Sequence, residues 1–581
     1  MLGGRRALAP SAGLAAAALI GLLRFKPEGE SDLGWHLAQG RQLIEHGWLR
    51  ENGLSWVAPH HPWVNTSALF DLACALSMRA LPGVLGPQLL TATFFLLSAV
   101  GLGLCGLEVS RLPAIGAKAQ ETQEAGEALA ALVCPLSVLL LWPRATPRPH
   151  VVTWAVLAWT LWLSLRARRP GDQWPALRVL ALGVIAAGSW FHPGAAFAAA
   201  VLGIFALEAF ARSRRPRELW LLLAAPLALS LNPGGALSLA HLLQHWDVQQ
   251  LVHISEFEPP RLATHPAFFV LLPLALAALW PRRREEPALL AVTLLFFLLG
   301  LRANRMTYEA VVVALPSLAL LLRAVEMRTR RRTARLAWLL AGLLALMPHQ
   351  GFLRLLTSPV ADPVWDEHRL PVRAARFLEA WQISGPGFNG LTDGGYLAWA
   401  RPQVSIFVDA RLYAYPASLW RAFVQAEGIS FGLQKFARAQ GCEWAIATRA
   451  VERLGGYRRF DSPDWALVYW DDQSEVFLRR DVARFAPLIQ SLEYKLFRPY
   501  GQVVGGVQRL PAEQLPALDD EIRRYLETSP RDLFAGLVGC ASATRQHHPR
   551  AGALCAAVAE AAGLRGRADV LRLVERARAL R

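Results

Sequence analysis

The amino-acid sequence predicts a mainly α protein. It would form a polytopic transmembrane helical bundle of about eleven spans, followed by a C-terminal extracytoplasmic α/β domain and a helical tail. Of the 581 residues, 54% are hydrophobic and 18% are charged, a balance that is unusual for a soluble enzyme. Apolar stretches of roughly 17 to 23 residues recur between positions 7 and 349, and each could cross a bilayer. Beyond residue 357 the charge rises and the apolar runs shorten.

The candidate spans can be oriented by the basic clusters between them. By the positive-inside rule, clusters at 166–169, 212–217, 282–284 and 328–335 indicate cytoplasmic loops. We expect the short segment 126–142, before a Pro- and Arg-rich hinge at 142–150, not to cross, which leaves the N-terminus inside and the C-terminus outside. The candidate spans are 7–25, 64–83, 87–108, 126–142, 149–166, 177–190, 194–212, 217–233, 265–281, 286–302, 308–324 and 335–349.

The net charge of +16 could indicate a nucleic-acid partner, but its distribution argues against one. The basic residues form short clusters between apolar spans, where they set orientation and meet anionic lipid headgroups. We therefore predict membrane lipids as partners and no nucleic acid.

The chain is predicted to have three regions. Residues 1–357 form the transmembrane domain with a long first outer loop at 26–63, residues 358–481 a soluble α/β domain, and residues 482–581 a helical C-terminal region. The tail is either a helical cap or a module that binds a protein partner. The predicted strands are 405–408, 444–447, 465–470 and 475–478, and the predicted tail helices are 519–528, 533–544 and 551–579.

The six cysteines form no CxxC pair or metal-like spacing. Cys540 and Cys555 could form a disulfide if the C-terminal region is extracytoplasmic. We predict instead that both are free buried thiols.

Asp32 is the strongest candidate for a functional residue. It follows the first apolar segment and begins the run Ser31 to Gly40, whose apolar residues have helical spacing. A carboxylate beside lipid is costly to hold there and is by default a functional candidate. The pair Ser31-Asp32 could also act as a helix N-cap, so both interpretations stay open.

Other polar residues converge on the same predicted outer face. Arginine binds phosphate bidentately, and a carboxylate can take a proton from an attacking hydroxyl, so together they suit an anionic lipid-linked ligand. Taken singly, His192 could be structural, and Arg302 and Arg305 could be interfacial anchors. The candidate substrate-binding residues are His36, Arg148, His192, Glu256, Glu258, Arg302 and Arg305.

A series of motifs resembles bacterial GT-C membrane glycosyltransferases, the protein-mannosyltransferase-like group that includes the aminoarabinose transferases. The run DLGWHLAQGRQLIEHG, followed by ENGLSW and PWVN, is similar to the first outer loop of this group. WFHPG resembles its Trp-x-x-His-Gly turn, and FNGLTDGGYLAW with IFVDARLYAY resembles the α/β domain of one bacterial branch. The resemblance covers roughly residues 20 to 450.

The resemblance implies a cavity at the outer leaflet of the bacterial cytoplasmic membrane and a polyprenyl-phosphate-linked sugar as donor. The acceptor would be a lipid, a glycan or a protein. Asp32 matches the acidic residue at the reaction centre and would act as general base, or position the acceptor or a metal. The cofactor stays open, with a divalent metal as one option.

Departures from the family pattern keep a non-catalytic function open. Thr66-Ser67-Ala68 stand where relatives carry His-Glu-Trp, and no second acid follows Asp32. The chain could therefore be a non-catalytic membrane scaffold that recruits partners through its soluble C-terminal part. A transporter would show internal inverted repeats, which we do not find in the sequence. Asp409 and Arg411 could bind a ligand at a strand end, but a structural contact between them is favoured.

Overall fold

The computed structural model describes residues 28–112, 133–169, 174–238, 252, 254–320, 364–429, 432–448, 460, 462–499 and 503–580. The predicted spans 7–25 and 335–349 lie outside the described residues. The chain divides into two compact units. Unit 1 comprises Met1–Glu51 and Pro62–Val364, and unit 2 comprises Asn52–His61 and Trp365–Arg581.

The described part of unit 1 is built from helices, and each predicted span between 64 and 324 contains one of them. Two of these helices are long and apolar enough to cross a bilayer by length and composition. The count of about eleven spans stays a prediction. The helices are α1 Ser31–His46, α2 Ala68–Ala80, α3 Leu85–Ser110, α4 Val133–Leu141, α5 His150–Arg166, α6 Trp174–Ser189, α7 Ala195–Ser213, α8 Trp220–Leu229, α9 Pro266–Leu279, α10 Pro287–Arg302 and α11 Thr307–Ala314.

Charged side chains gather at both ends of the buried helix α5. At its C-terminal end, Arg168 contacts Glu286 at 2.5 Å and Glu208 at 3.2 Å, and Glu208 also accepts from Arg212 at 2.7 Å. These residues lie near the ends of α5 and α7 and just before α10, so two of the predicted cytoplasmic clusters, 166–169 and 212–217, meet at Glu208. The second group of charges, before the N-terminus of α5, is the candidate site described below.

Unit 2 contains a mixed four-stranded sheet in the order β1-β2-β4-β3. β1 is parallel to β2, while β4 is antiparallel to both β2 and β3. The predicted strands 444–447, 465–470 and 475–478 are confirmed, and β1 was not predicted. The strands are β1 Gly387–Phe388, β2 Trp444–Thr448, β3 Trp465–Trp470 and β4 Ser474–Arg479.

The predicted strand at 405–408 is wrong, because this apolar segment makes only a single β-bridge, between Ile406 and Ser55. Its side chains are apolar because they are buried. Ile406 is 4% exposed, and Phe407 and Val408 are fully buried. Burial without a neighbouring strand gives the same sequence signal as a central strand.

Helices surround the sheet of unit 2 and form the C-terminal tail. The predicted tail helix 551–579 is two helices, because the chain turns at Gly566 with a φ of 64°. The helices of unit 2 are α12 Val372–Ala380, α13 Leu391–Ala400, α14 Ala417–Glu427, α15 Gly432–Ala439, α16 Ala486–Leu492, α17 Val503–Arg509, α18 Leu515–Thr528, α19 Leu533–Arg545, α20 Ala551–Leu564 and α21 Ala568–Arg578.

An aromatic cluster joins the sheet to the tail. Trp470, at the end of β3, is fully buried and its ring lies 4.1 Å from that of Tyr525 and 4.9 Å from that of Phe497. The Glu521 carboxylate also accepts three backbone N–H groups from residues 495–497. The tail therefore belongs to the same compact unit as the sheet, and the division into three regions stays a prediction.

The prediction that Cys540 and Cys555 are free thiols is wrong, since they form a disulfide. They face each other across the antiparallel pair α19 and α20, which brings their Cα atoms to 4.9 Å, within the range that a disulfide can bridge. Sequence spacing alone could not provide this geometry.

Replacing both Cys540 and Cys555 by Ala should lower the free energy of unfolding of unit 2 by about 3 kcal/mol, because a crosslink over 15 residues constrains the unfolded chain. Denaturant unfolding of the full chain would measure this loss. Reduced wild type should match the variant, and reductant should not destabilise the variant further. Equal stability of all three samples would contradict the prediction.

Candidate functional site

Asp32 lies in the first turn of α1, and the interpretation of Asp32 as an N-cap is wrong. The N-cap is Glu30, whose side chain accepts the backbone N–H of Asp32 at 3.4 Å. Asp32 is 6% exposed, and a carboxylate near a helix N-terminus is stabilised by the helix dipole. Its side chain is therefore available for a contact with another part of unit 1.

That contact is with Arg148, whose guanidinium meets three carboxylates. Arg148 pairs closely with Asp32, lies 2.9 Å from a Glu256 oxygen and lies 3.6 Å from a Glu30 oxygen. The second oxygen of Glu256 accepts from Arg144 at 2.9 Å. We call Glu30, Asp32, Arg144, Arg148 and Glu256 the charged cluster.

The local sequence explains why the two arginines project before α5. Residues 142–150 contain three prolines, which lack a backbone N–H and disfavour helical conformations in the preceding residues. Residues 142–144 form one 3₁₀ turn, and α5 begins only at His150. The His150 Nε2 contacts the Arg144 carbonyl at 2.7 Å, which fixes the hinge.

Residues 304–308, which form the turn after α10 and the start of α11, border the charged cluster. The Arg305 guanidinium lies 5.1 Å from the Phe257 ring centre, and that of Arg144 lies 5.9 Å from the Tyr308 ring centre. The backbone N–H of Asn304 donates to the Glu258 carbonyl at 2.8 Å. The turn at 255–257 is thereby held against the start of α11.

The structure brings together some of the predicted site residues. Asp32 and Glu256 both contact Arg148, and Arg305 lies beside Glu256. Glu258 contributes its backbone carbonyl to the turn, and Arg302 is the exposed last residue of α10.

His192 and His36 lie outside the charged cluster. His192 Nδ1 contacts the Thr153 hydroxyl at 2.6 Å and accepts the Gly194 N–H at 3.1 Å, so it stabilises the turn before α7. His36 is 1% exposed and its Nδ1 lies 2.5 Å from an oxygen of Asp71 on α2.

The contact between α1 and α2 is unusually close around His36. A Cβ on Gly40 would overlap the Asp71 carbonyl, so only glycine permits this approach. Asn65 donates to the second Asp71 oxygen at 2.8 Å, which completes a buried network of His36, Asp71 and Asn65. This network fixes the orientation of the helix that carries Asp32.

Sequence reasoning missed several polar residues of this region. Glu30 stands two residues before Asp32, whereas the family pattern predicts a second acid after it. Asn65 lies in the PWVN segment and Asp71 in α2, and the resemblance assigned neither a role. Glu309 is 5% exposed and accepts from the Trp154 indole at 3.3 Å. A carboxylate inside an apolar predicted span was the signal for Glu309.

The charged cluster pairs carboxylates with guanidinium groups. With Arg305 it holds three carboxylates and three guanidinium groups, so its formal charge is balanced. A phosphate could take the place of Glu256 on Arg144 and Arg148, because guanidinium binds either anion bidentately. Among the described residues, no three His, Cys, Asp or Glu side chains are grouped to hold a metal ion. The cluster carboxylates face arginines instead.

The pKa of Glu256 should make unit 1 sensitive to acid. Burial would raise this pKa, but Arg148 and Arg144 outweigh burial and hold it well below its usual value. A carboxylate with a depressed pKa contributes stability above its unfolded pKa of about 4.3, and this contribution is lost as the pH falls below that value. Thermal unfolding from pH 6 to pH 3 should show this loss.

The Glu256→Gln variant should lose less stability over the same pH range. Glu45→Gln, on the exposed end of α1, should keep the wild-type dependence. Identical pH profiles for wild type and Glu256→Gln would contradict the prediction.

Neither a scan against protein-family models nor a search of curated proteins finds a match. Among solved structures, the apo oligosaccharyltransferase from Archaeoglobus fulgidus is similar with a TM-score of 0.51 and 12% identity, covering 76% of this chain and 69% of that one. ArnT from Cupriavidus metallidurans in the apo state has a TM-score of 0.47 and 13% identity, covering 80% and 96%. ArnT bound to undecaprenyl phosphate has a TM-score of 0.48 and 12% identity, covering 82% and 98%. At 12% identity the likeness to the oligosaccharyltransferase concerns the fold alone, and the chain shares that fold.

Proposed function

We propose that this chain is an integral-membrane glycosyltransferase that moves a sugar from a polyprenyl-phosphate donor to a lipid, glycan or protein acceptor. The observation that carries the proposal is the charged cluster. Its members come from the start of α1, the hinge before α5 and the turn at 255–257, and they meet within unit 1 of a GT-C fold. Holding so many charges beside apolar helices costs free energy of folding. This cost favours a functional role for the cluster.

Arg144 and Arg148 would bind the donor phosphate. Both guanidinium groups are partly exposed, at 19% and 24%, and both contact Glu256, which is 25% exposed. A donor phosphate would replace the Glu256 carboxylate, so the arginines would keep an anionic partner with and without donor. Arg305 would add a third positive charge near the phosphate.

Asp32 would act on the acceptor. The acceptor hydroxyl oxygen attacks the anomeric carbon while the bond from that carbon to the phosphate oxygen breaks. The polyprenyl phosphate leaves with the bonding electron pair, and the hydroxyl proton passes to Asp32. Phosphate needs no protonation to leave, so one carboxylate suffices, unlike in glycoside hydrolysis.

Several features support a location in the cytoplasmic membrane with unit 2 on the outer side. The helices α3 and α7 have the length and composition of spans, and charges gather at both ends of α5. The Cys540–Cys555 disulfide is typical of an oxidising compartment outside the cytoplasm. The N-terminus would then be cytoplasmic.

A direct test uses the purified full chain in lipid nanodiscs. Binding of undecaprenyl phosphate would be measured first, followed by sugar transfer from a panel of radiolabelled polyprenyl-phosphate sugars. We expect saturable binding and transfer from at least one donor. Absence of both would refute the proposal and favour the alternative, a non-catalytic scaffold that recruits partners through its soluble C-terminal part.

A further inference from the structure

Glu309 is a buried carboxylate that the proposed mechanism does not use. It lies in the first turn of α11, where the helix dipole favours a negative charge, but it is only 5% exposed. One of its oxygens accepts from the Trp154 indole at 3.3 Å, and the other has no hydrogen-bond partner among the described residues. A leucine would fill this position without the cost of burying a half-satisfied carboxylate. The stability of unit 1 therefore does not explain why this residue is a glutamate.

The hydrogen bond from Trp154 to Glu309 joins α5 to α11. Trp154 is fully buried, and its ring centre lies 5.0 Å from that of His150, one turn earlier on α5. On the other helix, the Tyr308 ring lies nearly parallel to the Trp154 ring, with the two centres 6.1 Å apart. Because the Glu309 carboxylate gives the indole N–H a partner, it fixes the rotation of the Trp154 ring between these two neighbours.

Both neighbours of Trp154 also contact Arg144. The His150 Nε2 lies 2.7 Å from the Arg144 carbonyl oxygen, and the Arg144 guanidinium carbon lies 5.9 Å from the Tyr308 ring centre. Arg144 itself belongs to the 3₁₀ turn of the hinge, and its side chain extends from this turn to Glu256. The contacts with α5 and α11 therefore determine where the Arg144 guanidinium stands.

We propose that Glu309 is a positioning residue for Arg144 and that it acts through Trp154. Glu309 fixes the Trp154 ring, this ring supports His150 and Tyr308, and these two residues hold the backbone and the guanidinium of Arg144. Glu309 would then set the affinity for the donor phosphate without touching it. This last consequence rests on the proposed function, whereas the effect of Glu309 on Arg144 does not.

Arginine-specific labelling with phenylglyoxal tests the effect on Arg144 without any ligand. The full chain in nanodiscs would be labelled and the rate at each arginine read by peptide mass spectrometry. We expect Glu309→Leu to raise the labelling rate of Arg144 at least about threefold, because the guanidinium loses its fixed position. Glu309→Gln should keep the wild-type rate, since its amide oxygen can still accept from the Trp154 indole.

The labelling rate of Arg168, at the opposite end of α5, is the internal reference. It should stay at the wild-type value in both variants. An equal increase at Arg168 and Arg144 would indicate a general loss of structure and would overturn the proposal, as would an unchanged rate at Arg144 in Glu309→Leu.

Two tryptophan variants test the path through Trp154. Trp154→Phe removes the indole N–H and should raise the labelling of Arg144 as Glu309→Leu does. The two changes combined should not exceed the larger single effect, because both remove the same hydrogen bond. The matched control is Trp159→Phe on the same helix, whose indole N–H donates to the Leu97 carbonyl at 3.0 Å, and it should keep the wild-type rate.

Additive effects of Trp154→Phe and Glu309→Leu would overturn the proposed path, and so would a Trp159→Phe chain that labels as fast as Trp154→Phe. If Glu309→Leu does not fold, Trp154→Phe carries the labelling test.

Binding of undecaprenyl phosphate tests the consequence for the donor. Glu309→Leu should weaken binding about three- to tenfold, the effect of one weakened hydrogen bond, and Glu309→Gln should bind as wild type does. In an Arg144→Met chain, Glu309→Leu should cause no further loss. A Glu309→Gln chain that binds as weakly as Glu309→Leu would assign the effect to the charge of Glu309 and overturn the positioning role. An undiminished further loss in the Arg144→Met chain would also overturn it.

The two kinds of measurement separate this inference from the proposed function. Wild type that binds no undecaprenyl phosphate would refute the proposed function, and the labelling of Arg144 would still decide the positioning role. Wild type that binds it, together with unchanged labelling of Arg144 in Glu309→Leu, would refute the positioning role and leave the proposed function standing.

Discussion

Replacing Asp32 by Asn is expected to lower sugar transfer by a factor of about 10² to 10⁴, the range lost when a general base is removed. Asn has nearly the same shape and can still meet Arg148, but its amide cannot take a proton. Arg148 also keeps its contacts with Glu256 and Glu30, so the charged cluster should persist. The rate would be measured with a polyprenyl-phosphate sugar in nanodiscs.

The matched control for Asp32→Asn is Glu45→Gln, the same change at the exposed end of the same helix. It should keep wild-type transfer. Undecaprenyl phosphate binding should be retained in both variants, because the arginines are intact. Full transfer by Asp32→Asn would remove Asp32 from the mechanism.

Replacing Arg148 by Met is expected to damage both stability and donor binding. The change leaves Glu30, Asp32 and Glu256 close together without their shared cation. We expect a loss of about 3 kcal/mol, the lower end for breaking a buried pair, because Arg148 is 24% exposed. Binding of undecaprenyl phosphate should weaken at least about tenfold, the loss of one charge-assisted contact.

Three comparisons separate these two effects of Arg148→Met. Adding Glu256→Gln should recover part of the stability, because one stranded charge is removed, but it should not recover binding. Arg148→Lys should keep more stability than Arg148→Met yet bind phosphate less well than wild type, since Lys lacks the bidentate fork. Arg79→Met, an exposed change on α2, should alter neither. Wild-type binding by Arg148→Met would exclude Arg148 as a phosphate ligand.

The sequence predicted the chemical types at the site better than their pairing. Tracing the basic loops placed Asp32, Arg148 and Glu256 on one face, and the structure brings these three together. Their contacts span 116 and 108 residues of sequence, which no local pattern encodes. His36 follows Asp32 by one helical turn, yet the close approach of α1 to α2 at Gly40 directs it to Asp71.

The fold was predictable where periodicity determines it. The apolar stretches predicted helices within each described span, and short β-like runs predicted three of the strands, which are buried along almost their whole length. The Cys540–Cys555 bond and the role of segment 405–408 depend on tertiary placement. Ile406 and Phe407 are hydrogen-bonded by Leu54, Ser55 and Trp56, and the Ser55–Phe407 contact spans 352 residues of sequence. The favoured structural contact between Asp409 and Arg411 is confirmed, and Arg411 also donates to Asn52.

The inclusion of Asn52–His61 in unit 2 also has a consequence for biosynthesis. The ribosome synthesises Asn52–His61 about 300 residues before it reaches Trp365. This segment therefore has no hydrogen-bonding partners in unit 2 while about half of the chain is synthesised. A fragment that starts at Trp365 would lack Asn52–His61, the part of unit 2 that hydrogen-bonds to the buried segment 405–408. Ile406 would lose its hydrogen bonds with Leu54 and Trp56, and Phe407 and Arg411 would lose one each. We therefore expect such a fragment to aggregate unless a peptide covering residues 50–63 is supplied in trans.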